Sequence, residues 1–323
     1  MRIFRKETDT VCLKVNHACC DAGGLKGYTK LLVAIYNQML AGQYTFQPLE
    51  TYNRGQEAVL QLPEITAKIK RMSNRLEKVD DPGHTVAIPC TIGVNEEPAV
   101  VRRQIKREHF NNLRKYAHGH GATINDVCLA AYCRAISRTS KIKDNLISVC
   151  FTSDLRKYLS NPRKNSVYNL SGMNPIRIAD NKAETFDETV EKIVSQTQKV
   201  KNDFPGIDMA LFFETLGQAS FREADCQFQQ FAVESTKDQF CNPWLSNVGI
   251  LAEEKVYLGL AEVEDYYMVG SACYSPGFML IASTYDDTLT LSANFFDSTL
   301  KKNTVKQIID LMAGDIEGLD RLL

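Results

Sequence analysis

What this 323-residue chain lacks narrows it quickly. It has no apolar run approaching the roughly 20 residues of a membrane span, and its start, Met1-Arg-Ile-Phe-Arg-Lys-Glu7, carries no signal-peptide core. A cytoplasmic protein without a membrane span is expected. It also lacks an excess of charge of either sign. Lys+Arg number 38 against 39 Asp+Glu, a formal net charge of -1, so nothing global draws it to nucleic acid or an anionic membrane. The phosphate-cradling patterns G-x-x-x-x-G-K-[ST] and G-x-G-x-x-G are absent, as are the G-x-S-x-G elbow of hydrolases and the H-E-x-x-H of zinc proteases. The ten cysteines include no C-x-x-C pair and keep no spacing with histidine, so reduced thiols are expected, with neither a disulfide framework nor a bound metal.

What is present suits an ordinary globular protein. Hydrophobic residues make up 44% and charged residues 24%, enough to bury one large core or two modest ones. The stretch that organises the rest runs from Val11 to Met39. Val11, Leu13, Val15 and His17 alternate with Cys12, Lys14 and Asn16, so a strand here would carry His17 inward at the end of a buried row. Gly23, Gly24 and Gly27 read as a tight turn, after which Leu25, Tyr28, Leu31, Leu32, Ile35, Tyr36 and Met39 recur at helical spacing. A lone inward histidine is ordinarily a hydrogen-bonded core residue. Cys19 and Cys20 beside it allow a Cys-His nucleophile as a formal alternative, but adjacent residues on a tight turn seldom reach in-line geometry.

Along the chain, residues 43–65 are polar and irregular, and Ile65 to Val79 reads as a short basic helix. The breaker Asp80-Asp-Pro-Gly83 marks a lobe boundary, dividing residues 1–83 from 84–323. Extended segments follow at Val86–Ile92 and Pro98–Gln104, then a helix stopping at Gly119-His-Gly121, where His118 and His120 are expected in solvent. Thr123 is placed as an N-cap with Asp126 reaching back to it, and Ile124, Val127, Cys128, Ala131 and Ala135 form the buried stripe of the next helix. Leu146–Phe151 reads as a buried strand, and Arg156, Lys157, Arg163 and Lys164 as a basic, solvated loop. Phe186 to Val200 is an amphipathic helix and Met209–Phe213 opens another. From there the pattern changes to strands: Trp244–Gly249, then two around Asp286-Asp287 between Phe278 and Phe296. Val305 to Leu319 closes the chain as a helix.

Several of these stretches share a resemblance. His17-x-x-x-Asp21, followed by glycine and an amphipathic helix, resembles the H-x-x-x-D-G signature of the chloramphenicol acetyltransferase-like superfamily. That superfamily includes nonribosomal peptide condensation domains, alcohol acetyltransferases and wax ester synthases. Gly121-Ala-Thr-Ile-Asn-Asp-Val-Cys-Leu-Ala-Ala131 resembles the segment opening its second lobe, Asp154-Leu-Arg156 its D-L-R-like strand end, Tyr168-Asn-Leu-Ser-Gly172 its N-x-x-G stretch, and Ser246-Asn-Val-Gly249 its S-N-x-G stretch. Asn16 stands where condensation domains carry a second histidine, and Ala22 where the glycine usually follows Asp.

The resemblance implies an α/β fold, an α+β two-layer sandwich in two lobes, with residues 1–83 a remainder of the first. Met1 stands only sixteen residues before His17, where the superfamily places further strands and a helix, so a truncated first lobe, a missing upstream segment or a complementing chain is expected. The implied activity is acyl transfer from a thioester to an alcohol or amine, with His17 as general base. Asp21 would hold the loop by pairing with an arginine; Arg156 is the candidate, with Arg163 and Arg177 close in sequence, and Gly23 supports the site. Asn247 would donate to the oxyanion or orient the acceptor, or else serve as a turn former. No tightly bound cofactor is required, since acyl-CoA or a phosphopantetheine thioester is the co-substrate, its phosphate within reach of the basic loop. The partners implied are a small-molecule donor and acceptor, or an acyl or peptidyl carrier protein. The rival is a non-catalytic member binding a carrier protein or small ligand. A dedicated peptide-forming domain would need adjoining modules.

Overall fold

The computed structural model describes residues 1–48, 55–73, 88–91, 98–140, 146–160, 167–236, 240–273 and 277–323. The expected lobe boundary at Asp80–Gly83 lies outside them, as do Arg163 and Lys164. In chain order the described elements begin with a short hairpin, β1 (Arg2–Phe4) and β2 (Thr10–Cys12), then α1 (Ala22–Leu40), α2 (Glu57–Leu60), α3 (Pro63–Ser73), β3 (Ile88–Pro89), β4 (Pro98–Ile105), α4 (Arg107–Gly119) and α5 (Ile124–Thr139). They continue with β5 (Leu146–Asp154), a 3-10 turn at Leu155–Tyr158, β6 (Ser171–Ala179), α6 (Phe186–Lys201), α7 (Ile207–Gln218), α8 (Phe221–Thr236) and β7 (Phe240–Ile250). The small pair β8 (Tyr257–Leu258) and β9 (Ala261–Glu262) precedes β10 (Gly277–Tyr285), β11 (Thr288–Phe296) and α9 (Lys302–Glu317).

The main sheet has the order β4-β11-β10-β7-β5-β6, with β3 pairing antiparallel to the start of β7. Two hairpins, β5/β6 and β10/β11, are antiparallel, and β7 runs parallel to both β5 and β10 between them. The second hairpin turns on Asp286 and Asp287, both with left-handed φ (43° and 57°), the geometry that matches the twist of adjoining strands. Arg107 and Arg114 of α4 hold the two carboxylates and tie the turn to the helix layer.

Helices α4, α5, α6 and α9 cover one face of the sheet. Leu280, Ala282, Leu289 and Leu291 point into them, so these strands read as apolar and small runs rather than strict alternations. Helix α5 starts with the expected capping box, in which Thr123 accepts from the Asp126 amide and Asp126 accepts from the Thr123 amide. It is buried over far more than one stripe, because Cys128, Ala130, Ala131, Cys133 and Ala135 are small enough for neighbours to close in on most sides. On the opposite face of the sheet, Met279 and Ile281 meet Ala22 and Leu25 of α1 together with Tyr266 and Met268. A third cluster packs Val59, Leu60 and Ile65 of α2 and α3 on Leu155, Tyr168, Leu170 and Ile207.

Three expectations are corrected. Gly23, Gly24 and Gly27 lie inside the first turns of α1, not in a loop before it. The region after Phe213 does not change to strands: α7 runs on and α8 follows, capped by Ser220 and Glu223 in a second S-x-x-E box. That spacing was the available signal, and Phe221, Ala224, Phe228 and Phe231 follow it at helical intervals, although Phe221 is 88% exposed. Finally, Val11 to His17 is not a buried strand. Only Thr10–Cys12 is extended in pairing, with β1, and Val11, Val15 and His17 are exposed, with no layer of the described residues over that hairpin.

Candidate active site

The segment after β2 turns sharply at Asn16–Cys19. Asn16 Oδ1 accepts from the Ala18 amide (2.9 Å), while the Cys19 and Cys20 amides donate to the Asn16 and His17 carbonyls. The turn delivers Asp21 as N-cap of α1, its Oδ1 accepting from the Gly24 amide at 2.7 Å.

Asp21 is 5% exposed and its carboxylate accepts four hydrogen bonds. Arg156 Nη1 donates to Oδ2 (2.8 Å) and Nη2 to Oδ1 (3.0 Å), a two-pronged pairing, and the Leu170 amide donates to Oδ2 at 2.7 Å, in addition to Gly24. Arg156, 7% exposed, also donates to Asp154 Oδ1 (3.1 Å) and to the Tyr168 carbonyl (2.9 Å). Burial works to lower the pKa of this guanidinium, and the hydrogen bonds and charge of Asp21 outweigh it and raise it. Arg156 is therefore not part of a solvated basic loop, and Arg177, on the exposed side of β6, is not the partner of Asp21. One carboxylate and one guanidinium knot together three stretches distant in sequence: 17–24, 154–156 and 168–170. Gly23 belongs to the knot, since a Cβ there would lie 2.7 Å from Arg156 Nη1; one on Gly24 would lie 3.0 Å from the Tyr168 carbonyl.

His17 rides on this knot with its imidazole exposed. Asn169 Nδ2 lies 3.1 Å from the His17 carbonyl and 3.3 Å from His17 Nδ1. Sequence reasoning missed Asn169 as a site residue although it opens the N-x-x-G stretch, because 152 positions separate it from the histidine it touches.

Asn247 stands across from α1, at a β-bulge where Ala282 pairs with Asn247 and Ser283 with Gly249, leaving Val248 extra. Its Oδ1 accepts from the Gly249 amide (3.0 Å), so the amide is oriented by the bulge, and Nδ2 has no hydrogen-bond partner among the described residues. Asn247 makes no hydrogen bond to His17 among them. Beside Asn247, the Val248 carbonyl accepts from Lys26 Nζ of α1 at 2.8 Å. Burial lowers the pKa of Lys26, against the opposing pull of Asp154 and Asp21. A lysine two residues beyond Gly24, on the turn that buries Gly24 and Gly27, was the signal for it. No group of three or more His, Cys, Asp or Glu side chains among the described residues could hold a metal ion.

No protein-family model and no curated protein matches the sequence. Solved structures do. The epimerization domain from the third module of tyrocidine synthetase B aligns at 13% identity with a TM-score of 0.62, over 95% of this chain and 68% of that one. The trichothecene 15-O-acetyltransferase from Fusarium sporotrichioides aligns at 14% and 0.62, over 93% and 64%. The first condensation domain of the CDA synthetase aligns at 14% and 0.57, over 94% and 62%. The chain thus spans about two thirds of the length of the structures it matches, and its fold is the mixed α/β fold of condensation domains and chloramphenicol acetyltransferase-like acyltransferases.

Proposed function

We propose that this chain transfers an acyl group from a thioester to an alcohol or amine, with His17 as general base. The observation that carries the reading is the buried Asp21–Arg156 pair, which fixes the turn presenting an imidazole to solvent. The chemistry balances simply. The imidazole takes the acceptor's proton as its oxygen or nitrogen attacks the thioester carbonyl; the tetrahedral intermediate expels the thiolate, and the imidazolium returns the proton to sulfur. Asn247, with Nδ2 unengaged among the described residues and its orientation set by Gly249, is suited to donate to the oxyanion. The thioester would arrive on coenzyme A or on a carrier protein's phosphopantetheine, and neither is held between turnovers.

The test is release of free coenzyme A, followed by mass spectrometry, from acetyl-CoA and longer acyl-CoAs with a panel of alcohols and amines. His17→Ala is expected to lower turnover by roughly 10²–10⁴-fold with the fold retained. Equal turnover by wild type and variant would rule His17 out as the base. The exposure of the imidazole, and Asn16 in place of a second histidine, favour one competing reading, a non-catalytic domain that binds a carrier protein or small ligand. That reading predicts binding without turnover in the same panel.

A further inference from the structure

A peptide unit is planar and trans, so its carbonyl and its N–H point in opposite directions and turn together. At the β7 bulge one such unit, between Val248 and Gly249, is held at both ends. Val248 is the extra residue of the bulge, so its carbonyl lies outside the strand ladder, and it accepts from Lys26 Nζ at 2.8 Å. The N–H at the other end, on Gly249, donates to Asn247 Oδ1 at 3.0 Å. A backbone N–H can only donate, so the atom of the Asn247 amide that faces it is the oxygen, and Nδ2 is turned away. Gly249 has a left-handed φ of 68°, and a glycine has conformations on both sides of zero open to it, so its own backbone preference does not stop this peptide from turning over. Lys26 Nζ also lies 3.4 Å from the Ile250 carbonyl and so grips the chain on both sides of Gly249. The helix that carries Lys26 is fixed independently: further along α1, Asn37 donates to the Tyr257 carbonyl (2.9 Å) and accepts from the Gly259 amide (2.8 Å).

We infer that Lys26 is a positioning residue: by holding the Val248 carbonyl it fixes the plane of the peptide between Val248 and Gly249, and through the Gly249 N–H it fixes the Asn247 side chain with Nδ2 free to donate. The relay belongs to the resting protein; its weight in acyl transfer rests on the reading above, in which Asn247 donates to the oxyanion. A hydrogen bond from an ammonium favours one of two peptide orientations by about tenfold or more. Without it the peptide turns over, and a carbonyl takes the place of the N–H beside Asn247. Two oxygens cannot share a hydrogen bond, so the Asn247 amide must rotate and present Nδ2 to that carbonyl. The donor is then spent inside the bulge. Lys26 has no contact with the reacting groups in this scheme and acts on them only through Asn247.

The experiment is NMR of the full chain labelled with ¹³C at the valine carbonyl and ¹⁵N at glycine. Of the 18 glycines only Gly249 and Gly270 follow a valine, so a carbonyl-filtered spectrum holds two signals, and Val269→Ile, which removes that of Gly270, assigns them. Wild type is expected to show a Gly249 amide protected from hydrogen exchange. In Lys26→Met that amide should exchange faster by about tenfold or more, with the Gly270 signal in its native place as the sign that the fold is intact. Lys26→Arg, which keeps a charged donor, should restore the protection. In turnover, Asn247→Ala should lower kcat by about 10²–10³-fold and Lys26→Met by about tenfold, whereas adding Lys26→Met to Asn247→Ala should cost less than about twofold, because a residue that acts through its neighbour is not additive with it. A wild-type Gly249 amide that exchanges freely overturns the inference without any variant. So does equal protection in wild type and Lys26→Met, or an undiminished loss from Lys26→Met in the Asn247→Ala background. Because the spectrum needs no substrate, full turnover by Asn247→Ala would sink the oxyanion reading and leave the relay from Lys26 to Asn247 standing.

Discussion

Breaking the Asp21–Arg156 pair should expose how the site is built, and the two single substitutions should not cost the same. Removing one partner of a buried ion pair costs about 3–5 kcal/mol, mostly because the other is stranded. Arg156→Ala leaves the Asp21 carboxylate still accepting from the Gly24 and Leu170 amides, so it belongs at the low end, about 3 kcal/mol. Asp21→Ala removes more. It orphans those two buried amides, takes the cap from α1 at about 1 kcal/mol, and leaves Arg156 with Asp154 and the Tyr168 carbonyl as its remaining partners. It belongs at the high end, about 5 kcal/mol. In the double variant no charge is stranded, so the sum of the singles should overshoot by about 2 kcal/mol, within the range seen for residues in direct contact. Urea unfolding of the four proteins reads all of this, with thioester turnover measured per folded molecule alongside. Additivity of the two substitutions, or a larger loss from Arg156→Ala than from Asp21→Ala, would refute the assignment of that knot as the anchor of the His17 turn.

Two further outcomes are expected. Lys26 has a folded-state pKa below its ordinary 10.5, so the unfolded chain binds that proton more tightly; the penalty is present at neutral pH and is relieved as pH rises through the folded value toward 10.5. Urea midpoints should therefore climb in wild type relative to Lys26→Met over the alkaline range, and a constant difference would contradict the burial of that ammonium. Gly314, exposed within α9 with open space where a Cβ would go, should tolerate Ala with a gain of about 1 kcal/mol, whereas Gly172→Ala should cost about 3 kcal/mol, since its Cβ would fall 2.3 Å from the Gly206 carbonyl oxygen. Thermal unfolding of the two variants checks both signs.

The parts of the fold legible in the sequence are those whose information is local. The Thr123–Asp126 cap, the α9 stripe and the Asp286-Asp287 turn each lie within a few residues, and each stands in the structure where the pattern put it. Alternation at Val11–His17 says only that two faces differ; which face is covered depends on a layer the segment itself does not encode, and there the expectation of burial failed. The glycines at 23 and 24 are similar. A turn is the local reading of a glycine pair, while the reason for them is the approach of Arg156 and Tyr168 from far along the chain. The pairing of Asp21 with Arg156 was legible only through resemblance to a known family, and Asn169 only as a member of the N-x-x-G stretch, with no role attached. A contact between a side chain and a ring 152 residues away leaves no mark in spacing or composition.

The place of β7 has a consequence in time. The β5/β6 and β10/β11 hairpins join strands consecutive in sequence and can form independently, on the scale of about 1–10 μs for an elementary hairpin. Strand β7, residues 240–250, bonds to both but parallel to each, and parallel pairing has to close long stretches of chain before any contact rewards it. Until it arrives, Leu146–Asp154 and Gly277–Tyr285 each present an open, apolar border. The late event in reaching the native state is then the entry of one central strand, and the hazard of waiting is that a strand from another molecule enters first.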